Sequence, residues 1–140
     1  MVRINDFVYR QEGKKKPAPA ILFENTRTGK PKYSFQTHSD GGTGTNFKGL
    51  IVYDLSILST TQAPALAHDS LIFKNIGDLP IDGIMQAYEQ STKQIFITFD
   101  KVDAYSPLVK KITEGTKVLE LHSDGGELFG WSWADGQSIV

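Results

Sequence analysis

The predicted fold is decided by residues 42–70, where a glycine-rich turn, an apolar run and a strand-like segment follow one another. Residues 42–46 read Gly-Thr-Gly-Thr-Asn, residues 47–58 are mainly apolar, and residues 64–70 read Pro-Ala-Leu-Ala-His-Asp-Ser. This order predicts a turn that opens a helix, followed by a strand that ends in a carboxylate. In open α/β sheets, helix N-termini and the carboxyl ends of strands face the ligand crevice. Both features are therefore expected at one edge, an arrangement typical of a site for phosphate and a metal ion.

The apolar run after the glycine-rich turn has the period of a buried helix. Its apolar residues recur at spacings of three and four. They are Phe47, Leu50, Ile51, Leu55 and Leu58. Further apolar side chains at Val52, Tyr53 and Ile57 predict a helix that is buried nearly all round. The β-branched content leaves a strand open as an interpretation, but the length of the run favours a helix, with Thr45 or Asn46 as its N-cap.

Two short apolar segments downstream are predicted to be parallel strands. Residues 65–69 end in Asp69, residues 94–99 are followed by Asp100, and residues 78–88 between them have helical spacing. A strand, a helix and a second strand in this order form a crossover unit with parallel strands. Asp69 and Asp100 are therefore expected at the same edge of the sheet.

Antiparallel hairpins are predicted at the two ends of the chain. Residues 20–25 and 32–38 flank a turn that contains Gly29, and residues 117–122 and 127–134 flank a Ser-Asp-Gly-Gly turn. In the first hairpin, aromatic and polar residues alternate, which predicts one dry face and one wet face. The dry positions are Tyr33, Phe35 and Thr37, and the wet positions are Ser34, Gln36 and His38.

A short helix is predicted at residues 106–114, with Ser106 as its cap, Pro107 at its first position and Gly115 just past its end. Residues 1–17 have weak patterning and are predicted to be poorly ordered or joined to an element upstream. The prediction is a single α/β domain over residues 1–140, with a mainly parallel sheet, crossover helices and antiparallel hairpins at both ends.

Composition narrows the class of protein. The chain has 140 residues, 39% of them hydrophobic, which is typical of one globular domain. It has no cysteine, which excludes disulfides, thiol catalysis and thiolate zinc sites and fits the cytoplasm. No apolar run is long enough to span a bilayer, so no membrane partner is expected.

Charge is unevenly distributed along the chain. The net charge is -1, but residues 1–37 carry eight Lys or Arg and three Asp or Glu, whereas the remainder carries seven and thirteen. Residues 1–37 therefore have a net charge of +5, and residues 38–140 have a net charge of -6. Such asymmetry is compatible with a docking or nucleic-acid face, although a solvated lysine loop is the more common explanation.

The order of these parts resembles the C-terminal half of an ATP-binding-cassette head. Residues 42–55 and residues 68–74, which read His-Asp-Ser-Leu-Ile-Phe-Lys, look like an uncharacterised bacterial family that forms the C-terminal region of SMC-like coiled-coil ATPases. The resemblance runs from about residue 21 to residue 133. It implies that the chain is the C-terminal lobe of a P-loop, ABC-type head.

The resemblance implies roles for the glycine-rich turn and for the first aspartate. Gly42, Gly44, Thr45 and Asn46 correspond to the signature motif, which closes over the γ-phosphate held by a partner head. Asp69 matches the magnesium-side aspartate of the Walker B strand and would act on Mg through water and phosphate. Mg and ATP are therefore expected as cofactors, and only in a completed site.

The resemblance also places Ser70 and Asp100 with Asp69 in the catalytic group, but here the chain departs from the usual pattern. Ser70 begins the loop that crosses the dimer interface, at a position where such hydrolases have a glutamate. A serine hydroxyl cannot serve as the same base. Asp100 lies in the switch-loop region, where transporter-type cassettes have a histidine. Hydrolysis by the usual arrangement is therefore in doubt.

The chain is expected to contain only half of a nucleotide-binding site. No G-x-x-x-x-G-K-[ST] loop occurs in the chain. The implied partner is an N-terminal half that contains the P-loop, or a second head, with a homodimer as a further form and DNA as a partner of the whole complex. The chain alone is predicted to bind ATP poorly and to be inactive.

Two alternatives come from other classes of protein. One is a non-catalytic interaction module that docks a protein or nucleic acid through the basic hairpin. The other is a metal-dependent phosphoesterase built on His68, Asp69 and Asp100, with His38 and His122 as further candidate ligands at predicted strand ends.

Overall fold

The described residues form four α-helices and four short strands. The computed structural model describes residues 1–13, 15–37, 42–123, 125–128 and 130. In chain order the elements are α1 (Val2–Val8), β1 (Ala20–Asn25), β2 (Pro31–Gln36), α2 (Thr43–Thr60), β3 (Ala65–His68), α3 (Asp78–Glu89), β4 (Gln94–Ile97) and α4 (Pro107–Thr116). Short 3₁₀ turns lie at Arg10–Glu12, Ser70–Ile72 and Val102–Ala104.

β3 and β4 form a parallel pair that α3 connects, so the predicted strand, helix and strand unit is confirmed. Ala65 is opposite Gln94 and His68 is opposite Ile97, so the two strands end side by side. The α/β class is also confirmed. The parallel sheet is smaller than the mainly parallel sheet that was predicted, because within the described residues β3 and β4 pair only with each other.

α2 is the long helix predicted after the glycine-rich turn. It begins at Thr43 and its N-cap is Gly42 in extended conformation. The prediction of Thr45 or Asn46 as the cap is therefore wrong. Both residues already lie in the first helical turn, where the N–H of Asn46 donates to the carbonyl of Gly42 at 3.1 Å.

The hydrophobic core lies among α1, α2, α3, α4 and the segment that follows β3. Its buried side chains are Val8, Tyr9, Ile51, Val52, Leu55, Phe73, Ile76, Ile81, Ile84, Met85, Tyr88, Val109 and Ile112. α2 contributes one face to this core, because Leu50 and Ile57 on its other side are exposed. The prediction of a helix buried nearly all round is wrong for that reason.

Residues 2–8 form a helix in a segment for which the sequence pattern predicted no element. α1 packs against α3, where a Cβ at Gly83 would lie only 2.1 Å from the carbonyl oxygen of Val8. The side chain of Asn5 is buried and donates through Nδ2 to the carbonyl of Lys16 at 2.7 Å. The N-terminal segment is thereby attached to the core.

β1 and β2 form the predicted antiparallel hairpin. Gly29 in its turn has a φ of +72°, in the left-handed region that favours glycine. The prediction of a dry face is wrong, because Tyr33 is 75% exposed and Phe35 is 42% exposed. Tyr33 faces solvent, Phe35 packs partly against α2, and His38 lies outside the described residues.

α4 has the predicted start and a later end. Ser106 caps it by accepting the N–H of Val109 through Oγ at 3.2 Å, and Pro107 occupies the first helical position. The helix continues to Thr116, so Gly115 is its penultimate residue rather than the residue past its end.

The predicted C-terminal hairpin is not formed in the part that the structure describes. Residues 117–122 are irregular, and Val118 is 95% exposed. The N–H of His122 donates to the carbonyl of Gly126 at 3.0 Å, and no described strand pairs with the segment. The predicted strand at residues 127–134 lies largely outside the described residues, with the aromatic residues Phe129, Trp131 and Trp133.

Candidate functional site

The segments that follow β3 and β4 are held together at the carboxyl edge of the parallel pair. The N–H of Thr98 donates to the carbonyl of His68 at 3.1 Å. The N–H of Ser70 donates to Oγ1 of Thr98, also at 3.1 Å. These bonds continue the pairing beyond the strand ends, so Asp69 and Asp100 lie at the same edge of the sheet.

Asp69 shapes the turn that follows β3. Its Oδ1 accepts the N–H of Leu71 at 2.8 Å, which caps the 3₁₀ turn Ser70–Ile72. The residue is exposed. One carboxylate oxygen is therefore used by the backbone, while the group as a whole stays open to water, as a carboxylate that holds hydrated Mg²⁺ requires.

Asp100 is paired with a lysine that the sequence did not single out. Nζ of Lys74 lies 3.3 Å from Oδ2 of Asp100. The hydrogen bond from Lys74 lowers the pKa of Asp100, and the Ser70 hydroxyl adds a smaller effect in the same direction. The carboxylate is held in its ionised form, and the pair links the segment after β3 to the segment after β4.

The glycine-rich turn packs against the same loop. A Cβ at Gly44 would lie 2.1 Å from the backbone oxygen of Asn75 and 3.1 Å from its carbonyl carbon. Only glycine allows this approach, since side-chain carbons do not come so close to backbone oxygen. The start of α2 and the loop that follows Asp69 therefore form one surface.

Thr43, Gly44, Thr45 and Asn46 form the first turn of α2 and include no acidic residue. A helix N-terminus carries a partial positive charge and presents backbone N–H groups, which together favour an anion. Oδ1 of Asn46 accepts a hydrogen bond from Oγ1 of Thr37 at 2.9 Å, which attaches this turn to the end of β2. The turn thus has the charge and the composition of a phosphate-binding surface.

His68 belongs to a hydrogen-bonded chain beneath the edge. It is 8% exposed, with Nδ1 at 2.6 Å from the Tyr88 hydroxyl and Nε2 at 3.1 Å from Oδ2 of Asp54. Burial raises the pKa of Tyr88 well above its usual value, and the charge of Asp54 adds to the effect. The chain joins β3 to α3 and α2. Sequence reasoning missed Asp54 and Tyr88, because their partner lies far away along the chain.

His68 and His122 are the histidines of the phosphoesterase alternative that lie within the described residues. Both ring nitrogens of His68 are engaged in the chain just described. His122 is exposed in the C-terminal segment, with Nε2 at 3.8 Å from Oε1 of Glu120. His38 is outside the described residues. Across the described ranges, no group of three His, Cys, Asp or Glu residues is placed to hold a metal ion.

The fold defines the class of this protein as an α/β domain with a parallel strand, helix and strand unit. At the carboxyl edge of that unit lie Asp69, which is exposed, and Asp100, which is paired with a lysine. The glycine-rich start of α2 packs against the loop that follows Asp69. The chain belongs to a bacterial family described as "uncharacterised protein conserved in bacteria (DUF2326)", whose model matches residues 4–133. This part of the predicted resemblance, to an uncharacterised bacterial family, is confirmed. Among curated proteins and among solved structures, no significant match is found.

In the portion of the chain with described structure, no helix is both long and apolar enough to cross a membrane.

Proposed function

We propose that this domain is the C-terminal half of an SMC-like, ABC-type ATPase head. In this proposal it supplies signature-like and Walker-B-like elements to a composite Mg-ATP site, and a polypeptide segment with a P-loop completes that site. The observation that carries the proposal is the contact between the glycine-rich turn and the loop after Asp69, where Gly44 approaches the backbone of Asn75 too closely for any other residue.

The shared edge supports the proposal because each part suits a different component of Mg-ATP. The first turn of α2 suits the γ-phosphate, since it has a positive dipole end and no acidic residue. Asp69 suits a hydrated magnesium ion, since it is exposed and lies at a strand end. The two groups come from different elements, and the contact of Gly44 with Asn75 joins the start of α2 to the loop that follows Asp69.

The exposed face of the parallel pair is a second supporting observation. Parallel strands occur almost only in sheets that are covered on both faces. In β3 and β4, Leu66 and Ile95 pack against the core, whereas Ala67 and Phe96 on the opposite face are exposed. Strands and helices from a P-loop half would cover that face and complete the sheet.

The proposed activity of the completed site is weak hydrolysis or nucleotide sensing. Ser70 cannot activate water as a glutamate does. Asp100 is the remaining carboxylate at the edge, and its pairing with Lys74 at 3.3 Å holds it as a charged acceptor that can orient a water molecule. A hydrolytic step would therefore depend on groups that the P-loop half brings.

Calorimetric titration of the chain with Mg-ATP tests whether the chain lacks the P-loop half of the nucleotide site. Without a P-loop, we expect a Kd in the millimolar range, about -4 kcal/mol, and weaker binding still in Asp69→Ala. A micromolar Kd would contradict the proposal, because the chain would then contain a complete nucleotide site. Magnesium is omitted in the control titration, which should remove the difference between the wild type and Asp69→Ala.

A further inference from the structure

One face of the β1–β2 hairpin presents aromatic rings to solvent. We call this the aromatic face; it consists of Ile21, Phe23, Tyr33 and Phe35. Phe23 and Tyr33 are direct partners in the antiparallel register, so their rings lie on the same side of the hairpin. They are 79% and 75% exposed. Adjacent aromatic side chains with this much exposure mark an interaction surface.

The base of the hairpin is fixed on α2. The ring of Phe35 packs edge-on against Tyr53 with ring centroids 5.8 Å apart. A Cβ at Gly49 would lie 3.4 Å from the same ring and 2.6 Å from Cγ2 of Thr37. The outer rings of Phe23 and Tyr33 are thus presented on a supported hairpin rather than on a free loop.

The hairpin is basic, and two of its cations lie in the turn at the end of the aromatic face. Residues 20–36 contain three Lys or Arg and one acidic residue, Glu24. Glu24 and Lys32 are register partners on the opposite face, where they form an ion pair of 3.6 Å. Arg27 and Lys30 in the turn are exposed, and neither forms an ion pair with an acidic residue of the described ranges. The aromatic face itself carries no acidic residue.

We propose that the aromatic face binds single-stranded nucleic acid, with bases stacked on Phe23 and Tyr33 and phosphates beside Arg27 and Lys30. Exposed rings beside cationic side chains are the combination that binds single strands, because the bases of a single strand are free to stack on the rings and its phosphates pair with the cations. The bases of a duplex are stacked on each other and do not reach such rings. The cations of the turn complement phosphates, which every nucleotide of a single strand carries. The proposal is independent of the nucleotide site.

Fluorescence anisotropy with a labelled oligothymidylate and with a duplex of equal length tests the proposal on the whole chain. We expect preferential binding to the single strand. Phe23→Ala or Tyr33→Ala should weaken that binding roughly 5- to 150-fold, the range measured for losing one stacked base. Arg27→Gln and Lys30→Gln should each lower the log–log salt slope by about 0.7.

Leu22→Ala is the matched control, because Leu22 is an exposed apolar side chain on the opposite face of the same strand. It should bind the single strand as the wild type does, and Tyr33→Phe should retain stacking. Urea unfolding should be unchanged in the two aromatic variants, since both rings are exposed.

Four results would overturn the proposal. The first is no binding of the single strand at low salt. The second is equal affinity for the duplex, and the third is affinity that survives the combined Phe23→Ala and Tyr33→Ala changes. The fourth is sedimentation of the wild type as a dimer that these changes dissociate, because the aromatic face would then be an interface between two copies of the chain.

Discussion

Replacing Gly44 with alanine is expected to separate the start of α2 from the loop that follows Asp69. The new Cβ would lie 2.1 Å from the oxygen of Asn75, whereas real Cβ atoms essentially never come within 3.0 Å of a neighbour. The backbone must therefore move by about 0.9 Å. Overpacking of this kind costs roughly 1–3 kcal/mol. The higher helix propensity of alanine returns up to about 1 kcal/mol. The middle of each range gives a net loss of about 1.5 kcal/mol, or roughly 3–6 °C in Tm for a domain of this size.

Thermal and urea unfolding followed by circular dichroism measure this loss. Gly115→Ala is the matched control, because Gly115 also lies in a helix and its Cβ would meet nothing within 4 Å. That variant should gain about 0.4–1 kcal/mol. If Gly44→Ala is as stable as the wild type while Gly115→Ala gains stability, the close approach of Gly44 to Asn75 does not exist.

Three further substitutions test the packing around the site. Gly83→Ala should lose about 1–3 kcal/mol in urea unfolding, because its Cβ would lie 2.1 Å from the oxygen of Val8; unchanged stability would refute the packing of α1 on α3. Tyr88→Phe should cost about 1–3 kcal/mol, because Nδ1 of His68 loses its partner. Since burial raises the pKa of Tyr88 in the folded state, its contribution is complete below the unfolded value of about 10 and falls above it, so the difference from the wild type should shrink in alkaline urea titrations. Ser106→Ala should lose about 0.5–2 kcal/mol of thermal stability through the cap of α4, and an unaltered Tm would refute that cap.

Local signals predicted the central elements well. The spacing of three and four after the glycine-rich turn predicts α2, and the cap and proline at residues 106 and 107 predict α4. The order of apolar segments predicts the parallel pair with its crossover helix. Each of these signals is contained within one segment, so the sequence is sufficient to find it.

The predictions were wrong where the structure of a segment depends on contacts with distant parts of the chain. α1 is only seven residues long and buries a polar side chain, Asn5, so its pattern is weak. Residues 117–122 have the composition of a strand but no described strand pairs with them. The aromatic residues of β2 alternate as in a buried face, yet only Phe35 finds a helix to pack against.

In the candidate site too, features set by neighbouring residues could be predicted, whereas contacts between residues far apart in the chain could not. Asp69 and the glycine-rich turn could be singled out because they follow recognisable elements. The pairing of Lys74 with Asp100 and the chain of Asp54, His68 and Tyr88 could not be, because they join side chains from separate elements.

The most direct test of the composite-site account is a titration of the ¹⁵N-labelled chain with Mg-ATP, followed through its backbone amide resonances. The account predicts weak binding with shifts concentrated at Gly44, Thr45 and Asn46 and in the loop from Ser70 to Asn75, and smaller shifts in Gly44→Ala. Shifts confined to other surfaces, or an unaltered spectrum at millimolar nucleotide, would contradict the claim that this edge is half of a nucleotide site.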